Sequence, residues 1–433
     1  MAGEVAALLG FGALFSLMLL RVPIGISMIL VGFAGFALII GLKPSLSQIS
    51  IVPLRVANDE VCGVVPLFIL MGTFASISGM SGELYKASHA WVGHRKGGLA
   101  MATILACGGF AAICGSSVAS AATLGKVALP EMQRFGYKQT IATGTIAAGG
   151  TLGILIPPSV VLAIYGIITE QDIALLFIAG LIPGLLAVLL YLFVILGMAR
   201  IDPESAPGVG NFNLREAVMS LRGIWATSLL FLFVIGGIYF GVFTPTEAAA
   251  MGAGGTLILT WLRGSMNFER MKQALIESTR MTGAIFVIAM GAVLFGRFLT
   301  VTRMPQDLAS FVGALDWPPG AILLVVILGY LVLGMFLDSL AIILLTVPIM
   351  FPVMTQLGYD PIWFGILLVM VIEIGLITPP YGMNVFVIKS VSPDVSLSTI
   401  YKGVLPFVLT DFVRILLIVL FPFLVLWLPY SML

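Results

Sequence analysis

Charge is scarce in this chain. Of its 433 residues only 9% are Asp, Glu, Lys or Arg, and 21 basic against 20 acidic side chains leave a net charge of +1. Such a balance provides no basic face for nucleic acid, so no nucleic-acid partner is expected. Histidine is almost missing: His89 and His94 are the two copies, and both fall in a polar connector. The three cysteines, Cys62, Cys107 and Cys114, sit in or beside apolar runs without CxxC spacing. They read as small packing residues, not as a metal site or a disulfide framework. There is no HExxH or GxSxG motif and no visible nucleophile-base pair, which argues against an enzyme and against any cofactor of an enzyme.

What the chain has in excess is apolar surface. It is 60% hydrophobic with a mean hydropathy of +1.14, more than a water-soluble globule could bury. The class is therefore an all-α polytopic membrane protein in a lipid bilayer. Apolar runs lie near 5–20, 24–42, 61–80, 97–114, 118–133, 140–168, 173–199, 223–242, 246–262, 281–301, 319–337, 340–357, 361–391 and 403–430. The first follows an uncharged start and Glu4, without the basic flank of a signal peptide, and is expected to be a retained helix.

The chain repeats itself. A shift of 222 positions aligns Pro23 with Pro245, Ser117 with Ser339, Pro130 with Pro352, Gly153 with Gly375 and Pro157-Pro158 with Pro379-Pro380. Matches at Pro, Gly and Ser are hard to obtain by chance in membrane sequence, so the chain reads as a tandem duplication. The expected division is a first repeat over 1–200, a cytoplasmic linker over 201–222 and a second repeat over 223–433. Each repeat holds scaffold helices, a hairpin (97–135 or 319–357) and a broken helix (140–168 or 361–391).

Basic residues assign orientation. Arg200, Arg215 and Arg222 mark the linker, and Arg263, Arg270, Lys272 and Arg280 a second connector, as cytoplasmic. Acidic Asp172, Asp307, Asp316 and Asp360 mark the outside. The first broken helix then runs outward and the second inward, an inverted-topology repeat of the kind that builds secondary transporters. Each hairpin bends at two or three small polar residues, "GSS" at 115–117 and "DS" at 338–339. That suits re-entrant tips at the midplane, although two complete spans would return the chain to the same side.

Each Pro-Pro pair falls in mid-span. Proline lacks an N–H and forces the preceding residue out of helix, so each pair unwinds its helix and frees carbonyls that hydrocarbon cannot satisfy. A cation can, and the exposed half-helix ends add partial charges suited to Na⁺ and to an anionic substrate. Hard oxygen donors stand nearby: Ser116, Ser117 and Thr151 in the first copy, and Asp338, Ser339, Thr378 and Asn384 in the second. One cation site per copy is expected, with Ser116, Ser117, Ser339 and Asn384 as candidate substrate contacts. Asp338, deep in an apolar stretch, is expected to be functional. Glu247 reads as a helix cap, Glu373 carries a further charge, and Arg297 and Arg303 read as interface residues. "GELYKASHAWVGHRKGG" and "NFERMKQALIESTR" read as amphipathic surface helices.

The segments "ICGSSVASAATLG", "GTLGILIPPS", "GVFTPTEAAAMGA", "LDSLAIILLTVPIMFP" and "ITPPYGMNVFVI" together resemble the large membrane subunit of tripartite ATP-independent periplasmic transporters over essentially the whole chain. The resemblance implies an elevator-type carrier of the bacterial inner membrane, importing a small organic acid such as a C4-dicarboxylate or sugar acid by Na⁺ symport. It implies two partners, a periplasmic substrate-binding protein and a small four-helix membrane subunit. Because the first apolar run begins by residue 5, the small subunit is expected as a separate chain, or to be absent. Carried over, the first ion site comprises Ser116, Ser117, Gly153, Ile156 and Pro158, and the second Gly334, Asp338, Gly375, Thr378 and Tyr381. A stand-alone ion-coupled carboxylate carrier of related architecture is the alternative.

Overall fold

The computed structural model describes residues 2–58, 63–315 and 317–432; Cys62 and the orientation mark Asp316 lie outside the described residues. The described residues are mostly helical, and none lies in a strand. The first copy opens with α1 (Ala2–Leu19), α2 (Ile24–Ile40), α3 (Leu42–Asn58), α4 (Val64–Ile77) and α5 (Met80–Val92). Its hairpin is α6 (Gly98–Cys114) and α7 (Ser117–Arg134), its broken span α8 (Gln139–Leu155) and α9 (Val160–Thr169), and α10 (Ile173–Ile201) follows. The second copy runs α11 (Leu214–Tyr239), α12 (Pro245–Leu262), α13 (Phe268–Thr302) and α14 (Met304–Ala314). Then come α15 (Pro319–Phe336), α16 (Ser339–Gln356), α17 (Pro361–Gly375), α18 (Met383–Val391), α19 (Leu397–Leu420) and α20 (Phe423–Tyr430).

Element starts recur 222 positions apart, as at Ser117 and Ser339 for α7 and α16, and at Gln139 and Pro361 for α8 and α17. Seven helices among the described residues are long and apolar enough to cross a membrane, or eight counting α4 and α5, which meet at a bend of 63°.

The helix boundaries sharpen the sequence reading at four places. The stretch "NFERMKQALIESTR" is not a separate surface helix. It is the first third of α13, whose 35 residues extend roughly 52 Å, well beyond a ~30 Å hydrocarbon core, so its charged turns can project into water without a break. In the first copy the matching positions form two helices, α3 and α4, and residues 43–60 had been given no element. The linker is shorter than 201–222: only residues 202–213 are non-helical, because Asn213 caps α11 by accepting from Arg215 N–H at 3.1 Å. The run 403–430 is two helices, interrupted at Phe421-Pro422.

The centre of the molecule is α8 and α17. Every residue from Ile141 to Leu155 and from Ile362 to Gly375 is buried, as expected of helices that are apolar all round. Glycine permits the tightest crossing: a Cβ at Gly144 would stand 2.3 Å from the backbone of Gly403, so α8 and α19 touch main chain to main chain. The copies also exchange arms. The half-helix after each break packs on the second hairpin arm of the other copy, α9 on α16 and α18 on α7. Around this core, α2, α3, α4, α12 and α13 pack on one another and present many apolar side chains outward, among them Leu38, Leu54 and Trp261. At the start of α12, Glu247 forms the expected capping box with Thr244.

Candidate functional site

The first break follows from backbone accounting. In a continuous helix the N–H groups of residues 157 and 158 would bond the carbonyls of Gly153 and Ile154. Both residues are proline, joined by a cis peptide. Ser159 compensates one loss by donating its hydroxyl to Ile154 O at 2.5 Å and caps α9 by accepting from Leu162 N–H at 3.2 Å. No donor among the described residues takes the Gly153 carbonyl. The hairpin tip lies directly on this break: a Cβ at Gly153 would stand 2.5 Å from Ser116 O, and one at Gly115, whose φ is +64°, 2.7 Å from Pro158 O. Ser116, Gly153 and Pro158 are therefore drawn together, while the Ile156 side chain packs toward Gly184 on α10. Ser117 is buried beside them, but its hydroxyl is engaged elsewhere: it pairs with the Asn384 carboxamide, with Oγ–Oδ1 2.9 Å and Nδ2–Oγ 2.6 Å.

The second break is built differently. Pro379 and Pro380, again cis-linked, withdraw the donors for Gly375 O and Leu376 O. Both carbonyls find others, Thr378 N–H at 3.1 Å and Asn384 N–H at 3.0 Å. The Thr378 hydroxyl donates to Ile374 O at 2.6 Å, and Gly382 N–H reaches across to Met335 O at 3.3 Å, holding the break against the hairpin. Gly334 and Gly375 meet backbone to backbone. Tyr381 is 54% exposed with its ring stacked on Phe386, and its carbonyl accepts from Tyr401 O–H at 2.7 Å. It stands on the surface of the break, whereas the first break is wholly buried.

Asp338 is half-buried, and its Oδ1 accepts from Leu340 N–H at 3.0 Å and Ala341 N–H at 3.1 Å, capping α16. Ser116, its equivalent 222 positions earlier, caps α7 through Ala119 N–H at 3.4 Å. Two helix N-termini, each carrying partial positive charge, thus start at the two tips. Both tips open on one cavity of ≈350 Å³, lined by Ser116, Ser117, Asp338 and Ser339 from the hairpins and by Thr73, Ser76 and Glu277 from α4 and α13. Asn384 does not line it: it is fully buried, with Nδ2 also donating to Ala147 O at 3.2 Å, so it joins α18 to α7 and α8. A larger cavity of ≈940 Å³, lined among others by Arg55, Arg297, Glu170 and Asp172, lies beyond Ile285, a residue common to both. Arg303, in the left-handed region at φ +60°, joins α13 to α14.

Sequence reading passed over several residues. Thr73, Ser76 and Glu277 supply the polar wall opposite the tips, and lie in segments with no break or repeat signal. Asp411 and Arg414 sit in the apolar run 403–430, where the argument applied to Asp338 would have singled them out. They are fully buried and form a cluster: Arg414 Nη2 lies 2.8 Å from Glu373 Oε2 and 3.0 Å from Asp411 Oδ1, and Tyr191 O–H donates to Asp411 Oδ2 at 2.7 Å.

An all-helical polytopic fold with paired hairpins, paired breaks and a shared polar cavity is the build of a membrane carrier, not of an enzyme. Residues 11–424 match the family model described as the DctM component of the tripartite ATP-independent periplasmic transporter, and the chain belongs to that family. It is 39% identical over 401 residues to the C4-dicarboxylate TRAP transporter large permease protein DctM of Pseudomonas aeruginosa, covering 92% of this chain and 93% of that one. Against the sialic acid TRAP transporter large permease protein SiaM of Vibrio cholerae it is 33% identical over 366 residues, covering 84% and 85%. Among solved structures it resembles the Alcanivorax borkumensis YdaH transporter, with a TM-score of 0.59 and 15% identity over 87% of this chain and 89% of that one, a likeness of fold alone. The chain is thus a large permease subunit, a multi-pass protein of the bacterial inner membrane.

Proposed function

We propose that this subunit imports a small organic acid by Na⁺ symport, receiving it from a periplasmic binding protein and working beside a small four-helix membrane subunit. The observation that carries the reading is the ≈350 Å³ cavity onto which both hairpin tips open. Its size suits a small metabolite, and two half-helix N-termini with hydroxyls at their first turns suit a carboxylate. Ser116, Ser117 and Ser339 are the substrate contacts on the hairpin side; Asn384 contributes by holding Ser117. One Na⁺ at each break would occupy the carbonyl-rich contact between tip and broken helix, with Ser116, Ser117, Gly153, Ile156 and Pro158 around the first, and Gly334, Asp338, Gly375, Thr378 and Tyr381 around the second. The uncompensated Gly153 carbonyl and the charge of Asp338 favour cations there. The two copies, in opposite orientation, would carry the site across the membrane as an elevator against the α2, α3, α4, α12 and α13 scaffold.

Relatives named for a C4-dicarboxylate and for sialic acid leave the acid open within this class. Reconstitution in liposomes tests the reading. Saturable uptake of a radiolabelled acid should require an inward Na⁺ gradient, the cognate binding protein and the small subunit together. Robust uptake by this chain alone would make it a stand-alone carrier.

A further inference from the structure

Four buried polar side chains stand between the two broken helices and belong to neither candidate ion site. Glu373 lies on α17, two residues before Gly375; Asp411 and Arg414 lie on α19; Tyr191 lies on α10. All four are fully buried. The Tyr191 hydroxyl donates to Asp411, and α10 packs on α8 near Thr151, which precedes Gly153 by two residues and donates its own hydroxyl to Ala148 O at 2.7 Å. Thr151 and Glu373 are equivalent positions, 222 residues apart. The cluster therefore reaches the same turn of both broken helices, one through a hydroxyl and one through a carboxylate.

Two acids against one guanidinium would leave a net negative charge here, which a buried site tolerates only with compensation. The cluster is also not saturated. Glu373 Oε1 and Arg414 Nε and Nη1 are buried without hydrogen-bond partners among the described residues, so the guanidinium has donors in reserve and more than one way to divide them. A group of charges with alternative pairings, touching two helices at matched positions, is a physical means by which one helix can sense the other.

We propose that Tyr191, Asp411, Arg414 and Glu373 couple the two breaks, so that ion occupancy at one raises the ion affinity of the other. They act as positioning residues: none lines the cavity or a break. The proposal rests on the reading of the breaks as Na⁺ sites. When an ion settles on the Gly153 side, the last turn of α8 fixes Thr151 and Tyr191; the Tyr191 hydroxyl then holds Asp411, and Arg414 is free to favour Glu373 and the last turn of α17. Loss of the phenol oxygen cuts this chain on the α8 side.

The test measures Na⁺ dependence of thermal stability in detergent, and of uptake in liposomes containing the binding protein and small subunit. The unmodified protein should show cooperative Na⁺ dependence with a Hill coefficient of about 2, and Tyr191→Phe should lower it to about 1. The midpoint in K⁺, which reports the fold alone, should fall modestly in Tyr191→Phe, whose lost hydroxyl leaves Asp411 Oδ2 without that donor, and stay unchanged in Thr151→Val. Thr151→Val approaches the chain from the other end and should give the same loss while keeping the full thermal shift at saturating Na⁺, which separates lost coupling from a lost first ion, and the double variant should be no worse than either single one. Should Tyr191→Phe fail to fold, Thr151→Val decides alone. Undiminished cooperativity in both variants overturns the coupling role while leaving the Na⁺ sites in place. An unmodified protein indifferent to Na⁺ overturns the sites themselves and the coupling with them.

Discussion

Gly334 and Gly375 pack backbone against backbone, such that a Cβ at Gly375 would stand 2.4 Å from the Cα of Gly334, and one at Gly334 3.0 Å from the Cα of Gly375. The contact joins α15 to α17 where the second hairpin meets the second break. It also sets the distance across which any ion at that break would be held.

Gly375→Ala is therefore expected to push α15 off α17. Overpacking of this kind costs typically ~1–3 kcal/mol, and the displaced carbonyls should weaken Na⁺ at the second break more than the fold as a whole. The check is paired: the thermal midpoint in K⁺ should fall by a few degrees, while the Na⁺ concentration for half-maximal uptake rises about tenfold or more. A variant with wild-type midpoint and wild-type Na⁺ response would show that the contact has room to spare.

How much of this was legible in the sequence depends on the kind of signal. The Pro-Pro pairs and the bends at Gly115–Ser117 and Asp338–Ser339 were readable because proline and glycine act on their own backbone, and the duplication put each signal on the page twice. The helix Leu42–Asn58 was missed because its composition is mixed, and Pro53 within it reads as a breaker. The Glu373, Asp411, Arg414 and Tyr191 cluster was missed for a different reason. Its members come from three helices, and sequence spacing brings together only Asp411 and Arg414, one turn apart. Asp338 and Asn384 stood out in the sequence as hard oxygen donors in apolar stretches, but sequence could not say that one caps a helix and the other bonds Ser117. Those partners are set by how the copies exchange arms.

Asn384 carries a prediction of its own. Its carboxamide serves the Ser117 hydroxyl and the Ala147 carbonyl in a fully buried setting. Asn384→Ala leaves the Ser117 hydroxyl without that partner, at a cost of roughly 1–3 kcal/mol, while Ala147 O keeps its place in the α8 ladder. Uptake should fall with the thermal midpoint, and Ser117→Ala in the same background should restore part of the stability, because it removes one orphan. Strictly additive losses would mean that the pair does not act as a unit.

Orientation can be settled at equivalent exposed positions. Arg134 ends α7 and Gln356 ends α16, 222 residues apart, and both face solvent. In a background lacking Cys62, Cys107 and Cys114, single cysteines at Arg134 and Gln356 should react with an impermeant maleimide from opposite sides of the membrane, Arg134→Cys from the cytoplasm. Reaction of both from one side would leave a duplication without inversion.

The ions themselves give the most direct test of why each broken helix carries two prolines. A cation that binds only the folded state stabilises it by RT ln(1 + [Na⁺]/Kd) per site, or ~2.7 kcal/mol at a hundredfold excess over Kd. K⁺ should do much less, because an oxygen cage closed around Na⁺ fits the larger ion poorly. The two breaks should respond to different substitutions. At the first, the Gly153 carbonyl has no other partner among the described residues and Ser116 O lies against the face where a Gly153 side chain would be, so Gly153→Ala, whose Cβ would stand 2.5 Å from that oxygen, should remove the first ion's contribution. At the second, the Thr378 hydroxyl already donates to Ile374 O, leaving its lone pairs for a cation, and Thr378→Val should remove the second. Each variant should retain less than half of the Na⁺-induced thermal shift, because the remaining ion loses its coupled partner, and the double variant almost none. Asp338→Asn should keep the helix cap in part but weaken the second ion by removing its charge. Equal thermal shifts in Na⁺ and K⁺, with uptake driven by a pH gradient, would instead make Asp338 the carrier of a coupling proton and the Na⁺ reading wrong.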